Sequence, residues 1–300
     1  MPELKIGLVG LDTSHVVAFA KCFNKPGDPE HVDDGQIVCA YPGGSKDFEL
    51  SIGRVGKYTE QLRDEFGVEI LESPSAVAER ADLVFITAVD GRTHLDYVRQ
   101  TIPARKPTFI DKPMAVTSSD AKEIFRLGEQ HSVPIMSCSS LRFAQALDAA
   151  LADDALGEIV GIDVFGPMNI EPTQGGLYWY GIHSVEIVNR VMGQGCREVK
   201  ATTTDDHDLV TATWADGRVA SIHGVRKAHS KFGATIHRAK GFQFVDAAAG
   251  KRSWYSTMLD QIMASLPHGR SAIDNAATLE IIRLIEAANQ SRGSGASVKL

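Results

Sequence analysis

Through the first half of the chain, short apolar runs alternate with longer stretches whose apolar residues recur at helical spacing. Lys5–Val9 is the first such run; it stops at Gly10, and Ser14–Phe23 then reads as a helix with Thr13 or Ser14 available to cap it. Gln36–Ala40 predicts a second strand, and Thr59–Phe66 and Ser75–Arg80 predict two helices. Leu83–Thr87 is a continuous apolar run, as expected of a parallel strand covered on both faces. Thr93–Ile102 and Ser119–Gln130 predict further helices, and Thr108–Ile110 and Pro134–Cys138 further strands. Parallel neighbours need a crossover that a helix can supply, so this rhythm implies a doubly wound parallel sheet.

After Arg142 the pattern changes. Ile159–Phe165, Glu198–Thr204, Leu209–Trp214, Val219–Gly224, Thr235–His237 and Phe242–Val245 predict strands with few helices between them. Asp216-Gly217 is a hairpin signal joining two of them. Leu177–Met192 predicts one helix within this series, and Tyr255–Ser265 and Asn275–Ser291 predict two at the end. The expected fold class is therefore α/β: an N-terminal Rossmann domain over residues 1–140, then an α+β domain over residues 141–300 with a mostly antiparallel open sheet. The edges and face of an open sheet invite cover by another subunit, so a homodimer or homotetramer is expected.

Composition narrows the partners. The chain has 300 residues, 43% of them hydrophobic, and a net charge of −7, which argues against a nucleic-acid or anionic-membrane surface. No apolar stretch approaches the ~20 residues that span a bilayer, and Leu4–Gly10 is too short for a signal peptide. A cytoplasmic location follows as an expectation. Cys22, Cys39, Cys138 and Cys196 form no CxxC pair and read as reduced thiols. No tight spacing connects Asp12, His15, His94 and His183, so no metal site is expected.

The candidate chemistry begins at Gly10. A strand, a glycine turn and a helix at this point are where a Rossmann domain cradles a pyrophosphate on free helix amides. The usual G-x-G-x-x-G spacing is here Gly10-Leu11-Asp12-Thr13-Ser14-His15, with Asp12 and His15 in place of the second and third glycines. A carboxylate at the second position repels a diphosphate unless it points away. The acid that normally ends the second strand is also missing; Cys39-Ala40-Tyr41-Pro42-Gly43-Gly44-Ser45-Lys46 stands there. Ser45 and Lys46 could accept a 2′-phosphate, or the segment could be a glycine turn with a solvated lysine.

Further along, Asp111-Lys112-Pro113-Met114-Ala115 after an apolar strand resembles the Glu-Lys-Pro signature of the Gfo/Idh/MocA oxidoreductases, a family named for glucose–fructose oxidoreductase and inositol dehydrogenase. Ala81–Thr87 followed by Thr93-His94, Leu141-Arg142-Phe143, Gly175-Gly176 with Gly181-Ile182-His183, and the tail from Leu279 to Gly293 resemble other segments of that family, in the same order over nearly the whole chain. The resemblance implies an NAD- or NADP-dependent oxidoreductase acting on a sugar, cyclitol or similar polyol. It implies His183 as general base and Lys112 as its partner at the substrate oxygen, with substrate between them. Gly10, Asp12, Thr13, Ser14, His15, Ser45, Thr87, His94, Asp111 and Lys112 would lie at the cofactor. The family usually places an aspartate one turn before the histidine, where this chain has Trp179. Either Glu186 supplies the carboxylate, since His183, Glu186 and Arg190 share a stripe at i, i+3 and i+7, or Arg142, Tyr178, Trp179 and Tyr180 form a rebuilt substrate site. Two alternatives remain open at this stage: a redox-neutral sugar enzyme that uses NAD transiently, and a ligand-binding regulator that kept the fold, as a repressor of galactose genes in the family does.

Overall fold

A computed structural model describes residues 3–229 and 231–300. The chain divides into two compact units, one of residues 1–138 and 255–275, the other of residues 139–254 and 276–300.

The first unit alternates strands and helices: β1 (Leu4–Val9), α1 (His15–Asn24), β2 (Gly35–Tyr41), α2 (Glu49–Phe66), β3 (Glu69–Ile70), α3 (Pro74–Arg80), β4 (Leu83–Ile86), α4 (His94–Thr101), β5 (Thr108–Asp111), α5 (Ser118–His131) and β6 (Ile135–Cys138). The strands pair in parallel in the order β3-β2-β1-β4-β5-β6, the doubly wound order in which the sheet changes direction between β1 and β4. Every residue of β4, β5 and β6 is buried, which accounts for their unbroken apolar runs. Local signals end the helices where the sequence suggests. Ser73 Oγ accepts from the Ala76 amide at the start of α3, Thr117 caps α5 in the same way, and Gly67 closes α2 with a positive φ. Helix α2 starts ten residues before the stretch its pattern predicts. Only Ser51 and Leu62 of it are buried, so it has little apolar periodicity to read, and Gly53 and Gly56 mask its first turns.

The second unit contains α6 (Gln145–Ala152), β7 (Ile159–Pro167), α7 (Gly181–Met192), β8 (Cys196–Thr203), β9 (His207–Trp214), β10 (Val219–Val225), β11 (Gly233–Arg238) and β12 (Gly241–Asp246), then α8 (Trp254–Met263), α9 (Asn275–Ser294) and β13 (Val298–Lys299). Its seven strands run β12-β11-β7-β10-β9-β8-β13, antiparallel except for the β7–β10 pair. Alternation is clean: Asp208, Val210, Ala212 and Trp214 of β9 are buried, and His207, Leu209, Thr211 and Thr213 are exposed. Helix α7 packs on β7 and β10 and is buried on nearly every side. The helical run expected from Leu177 is broken: a 3₁₀ turn covers Gly176–Tyr178 and α7 begins at Gly181.

The expected boundary at 140/141 falls at 138/139, but the segment Tyr255–Asn275 belongs to the first unit rather than the second. Its side chains explain this. Tyr255 packs edge-on to Phe19, Ser256 bonds Glu30, and Ser265 Oγ lies 3.9 Å from the Met136 sulfur.

Candidate functional site

In the first unit the site is built at the switch point between β1 and β4, where open α/β sheets receive ligands. Gly10 closes β1 with φ +94°, and a Cβ there would stand 2.5 Å from the Ala88 backbone, so the turn demands glycine on both counts. Thr87 Oγ1 donates to the Gly10 carbonyl at 2.7 Å, tying the ends of β1 and β4 together. The Thr87 hydroxyl is thereby engaged inside the fold.

Asp12 is fully buried and turned inward. Its carboxylate accepts from the Val89 amide (2.8 Å) and the Ser51 hydroxyl (2.5 Å), while Ser51 Oγ accepts from the Ser45 amide. Burial pushes the Asp12 carboxyl above its ordinary value, partly offset by those hydrogen bonds. The anticipated repulsion of a diphosphate is therefore absent, and Asp12 is a strut across the switch point rather than a ligand. Ser45 is drawn into the same network through its amide and is buried. His94 is also internal: it is fully buried, with Nδ1 3.1 Å from the Met114 carbonyl and Nε2 2.8 Å from that of Ala88. Both ring nitrogens are thus engaged within the fold.

What faces outward is the start of α1. The amides of Thr13 and Ser14 find no acceptor among the described residues, and Ser14 is exposed. Free N–H groups on a helix dipole form an anion-binding site. The donor set thus fits the pyrophosphate of a dinucleotide at Thr13 and Ser14. His15 follows, its Nδ1 2.5 Å from Asp111 Oδ2. The second oxygen of Asp111 accepts from the Lys112 amide at 2.8 Å. Burial opposes charge on Asp111, yet the His15 imidazole and Lys112 outweigh it and hold the carboxyl below its ordinary value. Lys112, at the carboxyl end of β5 and joined to Pro113 by a cis peptide, is partly buried. Burial lowers the pKa of its ammonium, with Asp111 pulling the other way.

In the second unit His183 lies in the first turn of α7. Its Nδ1 is 2.6 Å from Ser139 Oγ, and its ring packs against Tyr180 (5.9 Å) and Phe232 (5.3 Å). Glu186 is not the group at Nδ1. Its carboxylate is buried, accepts from the Ser139 amide and from Arg142, and is pushed up by burial against the pull of Arg142. Arg142 in turn is buried and also donates to Asn189. Along the stripe, His183 and Glu186 both meet Ser139, one its hydroxyl and the other its amide, while Arg190 pairs with Asp148. Tyr178 is a further correction: it is 4% exposed and its hydroxyl is buried without a partner among the described residues. Trp179 and Tyr180 are half-buried and pack edge-on at 6.1 Å, leaving two rings of the expected three to meet a ligand. Sequence reasoning missed Ser51 and Ser139, since a lone serine carries no spacing signal.

Among the described residues no helix is long and apolar enough to cross a membrane, and no three His, Cys, Asp or Glu side chains group as a metal set. Residues 44–138 match the GFO_IDH_MocA family model, described as an oxidoreductase family with an NAD-binding Rossmann fold. Among curated proteins, the uncharacterized oxidoreductase YhhX of Escherichia coli K12 is 25% identical over 113 residues, a match that spans 34% of this chain and 33% of that relative. Among solved structures, scyllo-inositol dehydrogenase from Lactobacillus casei superposes with a TM-score of 0.83 at 15% identity, covering 99% of this chain and 98% of that one. Myo-inositol 2-dehydrogenase from Lactobacillus plantarum gives 0.82 at 14% identity, covering 99% of each. The L. casei enzyme has also been solved with NAD(H) and scyllo-inositol bound. At these identities the likeness establishes the fold.

Proposed function

We propose that the chain, whose residues 44–138 match the model of an oxidoreductase family with an NAD-binding Rossmann fold, is a Gfo/Idh/MocA NAD(P)-dependent dehydrogenase acting at a carbinol carbon of a sugar, cyclitol or related polyol. One observation supports this most: the free Thr13 and Ser14 amides at the switch point, with the one carboxylate that could repel a diphosphate turned inward on Ser51 and Val89. When bound, the nicotinamide supplies the hydride chemistry. The amides of Thr13 and Ser14 hold its pyrophosphate. Lys112 donates to the substrate oxygen and stabilises charge developing there; its lowered pKa also eases exchange of a proton. His183 takes the hydroxyl proton, with Ser139 at its Nδ1 helping to orient the ring. Trp179 and Tyr180 offer aromatic faces to a polyol ring.

Titration of the purified protein with NAD, NADH, NADP and NADPH, followed by tryptophan fluorescence and melting temperature, tests the reading. The expected result is micromolar binding of at least one, followed by polyol-dependent absorbance at 340 nm. No binding by any of the four would overturn it and favour the ligand-binding regulator. Binding without net absorbance change, but with turnover of a sugar, would favour the redox-neutral enzyme.

A further inference from the structure

Gly175-Gly176 stands just before α7, and its conformation is fixed by a side chain more than a hundred residues further on. Asn289 of α9 accepts at Oδ1 from the Leu177 amide (3.0 Å) and donates from Nδ2 to the Gly175 carbonyl (3.1 Å). One side-chain amide thus pairs with this turn as a neighbouring strand would, and only one orientation of it satisfies both partners. Gly176, between those two contacts, has φ +63°, and a Cβ on it would overlap Asn289 Oδ1, so backbone angle and neighbour both require glycine. Helix α9 is a firm mount: Glu280 accepts from the Gly195 and Cys196 amides, Ser291 Oγ from the Ala201 amide, and Arg292 donates to Asp208. On the other side of the turn Leu177 is fully buried, and a Cβ on Gly181 would stand 2.8 Å from its side chain. The chain then presents Trp179 and Tyr180, half-buried, before α7 begins. That helix has its own anchors, since Ser139 meets both His183 and Glu186.

We propose that Asn289 is a positioning residue for the substrate: by clamping the turn at Gly175, Gly176 and Leu177 it aims Trp179 and Tyr180, and so sets affinity for the polyol without touching it. The inference rests on the dehydrogenase reading above, in which those two rings meet the substrate. An aromatic face contributes to binding in proportion to how well it is held, because a ring that must be ordered by the ligand costs conformational entropy at that moment. Two hydrogen bonds and a steric fit meet on this one amide, so removing it frees the segment that carries both rings. The base stays in place, because His183 is held from Ser139 and not from the turn. The effect therefore falls on substrate binding rather than on the chemical step.

The test compares the wild type with Asn289→Ala, Gly176→Ala and the double variant at saturating cofactor. The substrate is whichever of glucose, galactose, myo-inositol and scyllo-inositol the wild type turns over fastest, and melting temperature checks folding. Asn289→Ala is expected to raise KM about tenfold, with kcat within about threefold and the cofactor dissociation constant within about twofold of wild type. Gly176→Ala is expected to raise KM as well, and the double variant to be no worse than the worse single one, because both break the same contact. A residue that only holds the fold together would lower the active fraction, and hence kcat, and leave KM alone. An unchanged KM in Asn289→Ala, a loss confined to kcat, or losses that add in the double variant would overturn the inference and leave the dehydrogenase reading standing. Turnover of none of the four by the wild type would overturn both. Gly176→Ala carries the test if Asn289→Ala fails to fold.

Discussion

Arg142 and Glu186 exchange a 3.0 Å ion pair deep in the second unit, with further hydrogen bonds from the Ser139 amide to Glu186 and from Arg142 to Asn189. Such a pair is costly to break from one side, because the survivor stays buried with its charge. Arg142→Met is therefore expected to lower stability by about 3–5 kcal/mol in urea unfolding. Glu186→Gln should be destabilising too, since its single amide oxygen cannot accept from both the Ser139 amide and Arg142, whose charge loses its counter-charge. Charge at the buried acids also fixes the pH response. Asp111 has a depressed folded pKa, so its contribution is present above the unfolded value near 3.8 and is lost as pH falls through the folded value. Asp12 has a raised one, so its contribution is complete below 3.8 and is lost as pH rises through the folded value. Asp12→Asn should accordingly make stability less dependent on pH above 3.8, measured as the urea midpoint across pH. For the chemistry, His183→Asn is expected to lower kcat by about 10²–10⁴ while leaving cofactor affinity within a factor of about two. An equal loss of cofactor binding would remove the assignment of His183 as the base.

Elements respond through their backbone. Gly53 and Gly56 lie inside α2, and a Cβ at either would meet nothing within 4 Å. Each replacement by alanine should stabilise the protein by about 0.5–1 kcal/mol, because glycine loses more freedom in a helix and gains no contact here. A rise in melting temperature checks this. Gly10 is the opposite case: alanine there combines a left-handed φ with a 2.5 Å approach to the Ala88 backbone, and should destabilise by roughly 2–4 kcal/mol while displacing the start of α1. Sequence sets Gly10 apart as the end of a strand but does not say which of the three has room for a Cβ. Their different roles come from what each backbone faces.

At the scale of the molecule, the outer face of the seven-stranded sheet carries Phe242 and Phe244, 69% and 65% exposed, with Leu209 and Val219 also uncovered. Exposed aromatic residues on an open sheet are an association surface, and we expect a second copy of the chain to cover it. Phe242→Glu with Phe244→Glu should reduce the sedimentation coefficient toward that of a monomer without changing the melting profile of the separated chain. An unchanged coefficient would place any interface elsewhere. The chain path is also a property of this scale. The first unit recruits Tyr255–Asn275 from more than a hundred residues beyond its last strand, and the sequence contains nothing that marks the detour.

The sequence by itself determined the layered architecture, because burial on both faces forces unbroken apolar strands and helical crossovers force the spacing between them. It also carried the resemblance to the Gfo/Idh/MocA oxidoreductases, through Asp111-Lys112-Pro113 and the order of the segments around it, and singled out Gly10, Lys112 and His183 as candidates. It did not determine what each polar side chain does. Asp12 meets Ser51 and Val89, His94 meets the carbonyls of Ala88 and Met114, Arg142 meets Glu186 and His15 meets Asp111, across separations of 6 to 96 residues. Local pattern records whether a residue is buried. Only the tertiary structure brings together the donors and acceptors that must satisfy one another once water is gone, and so decides which polar groups are left to bind something else.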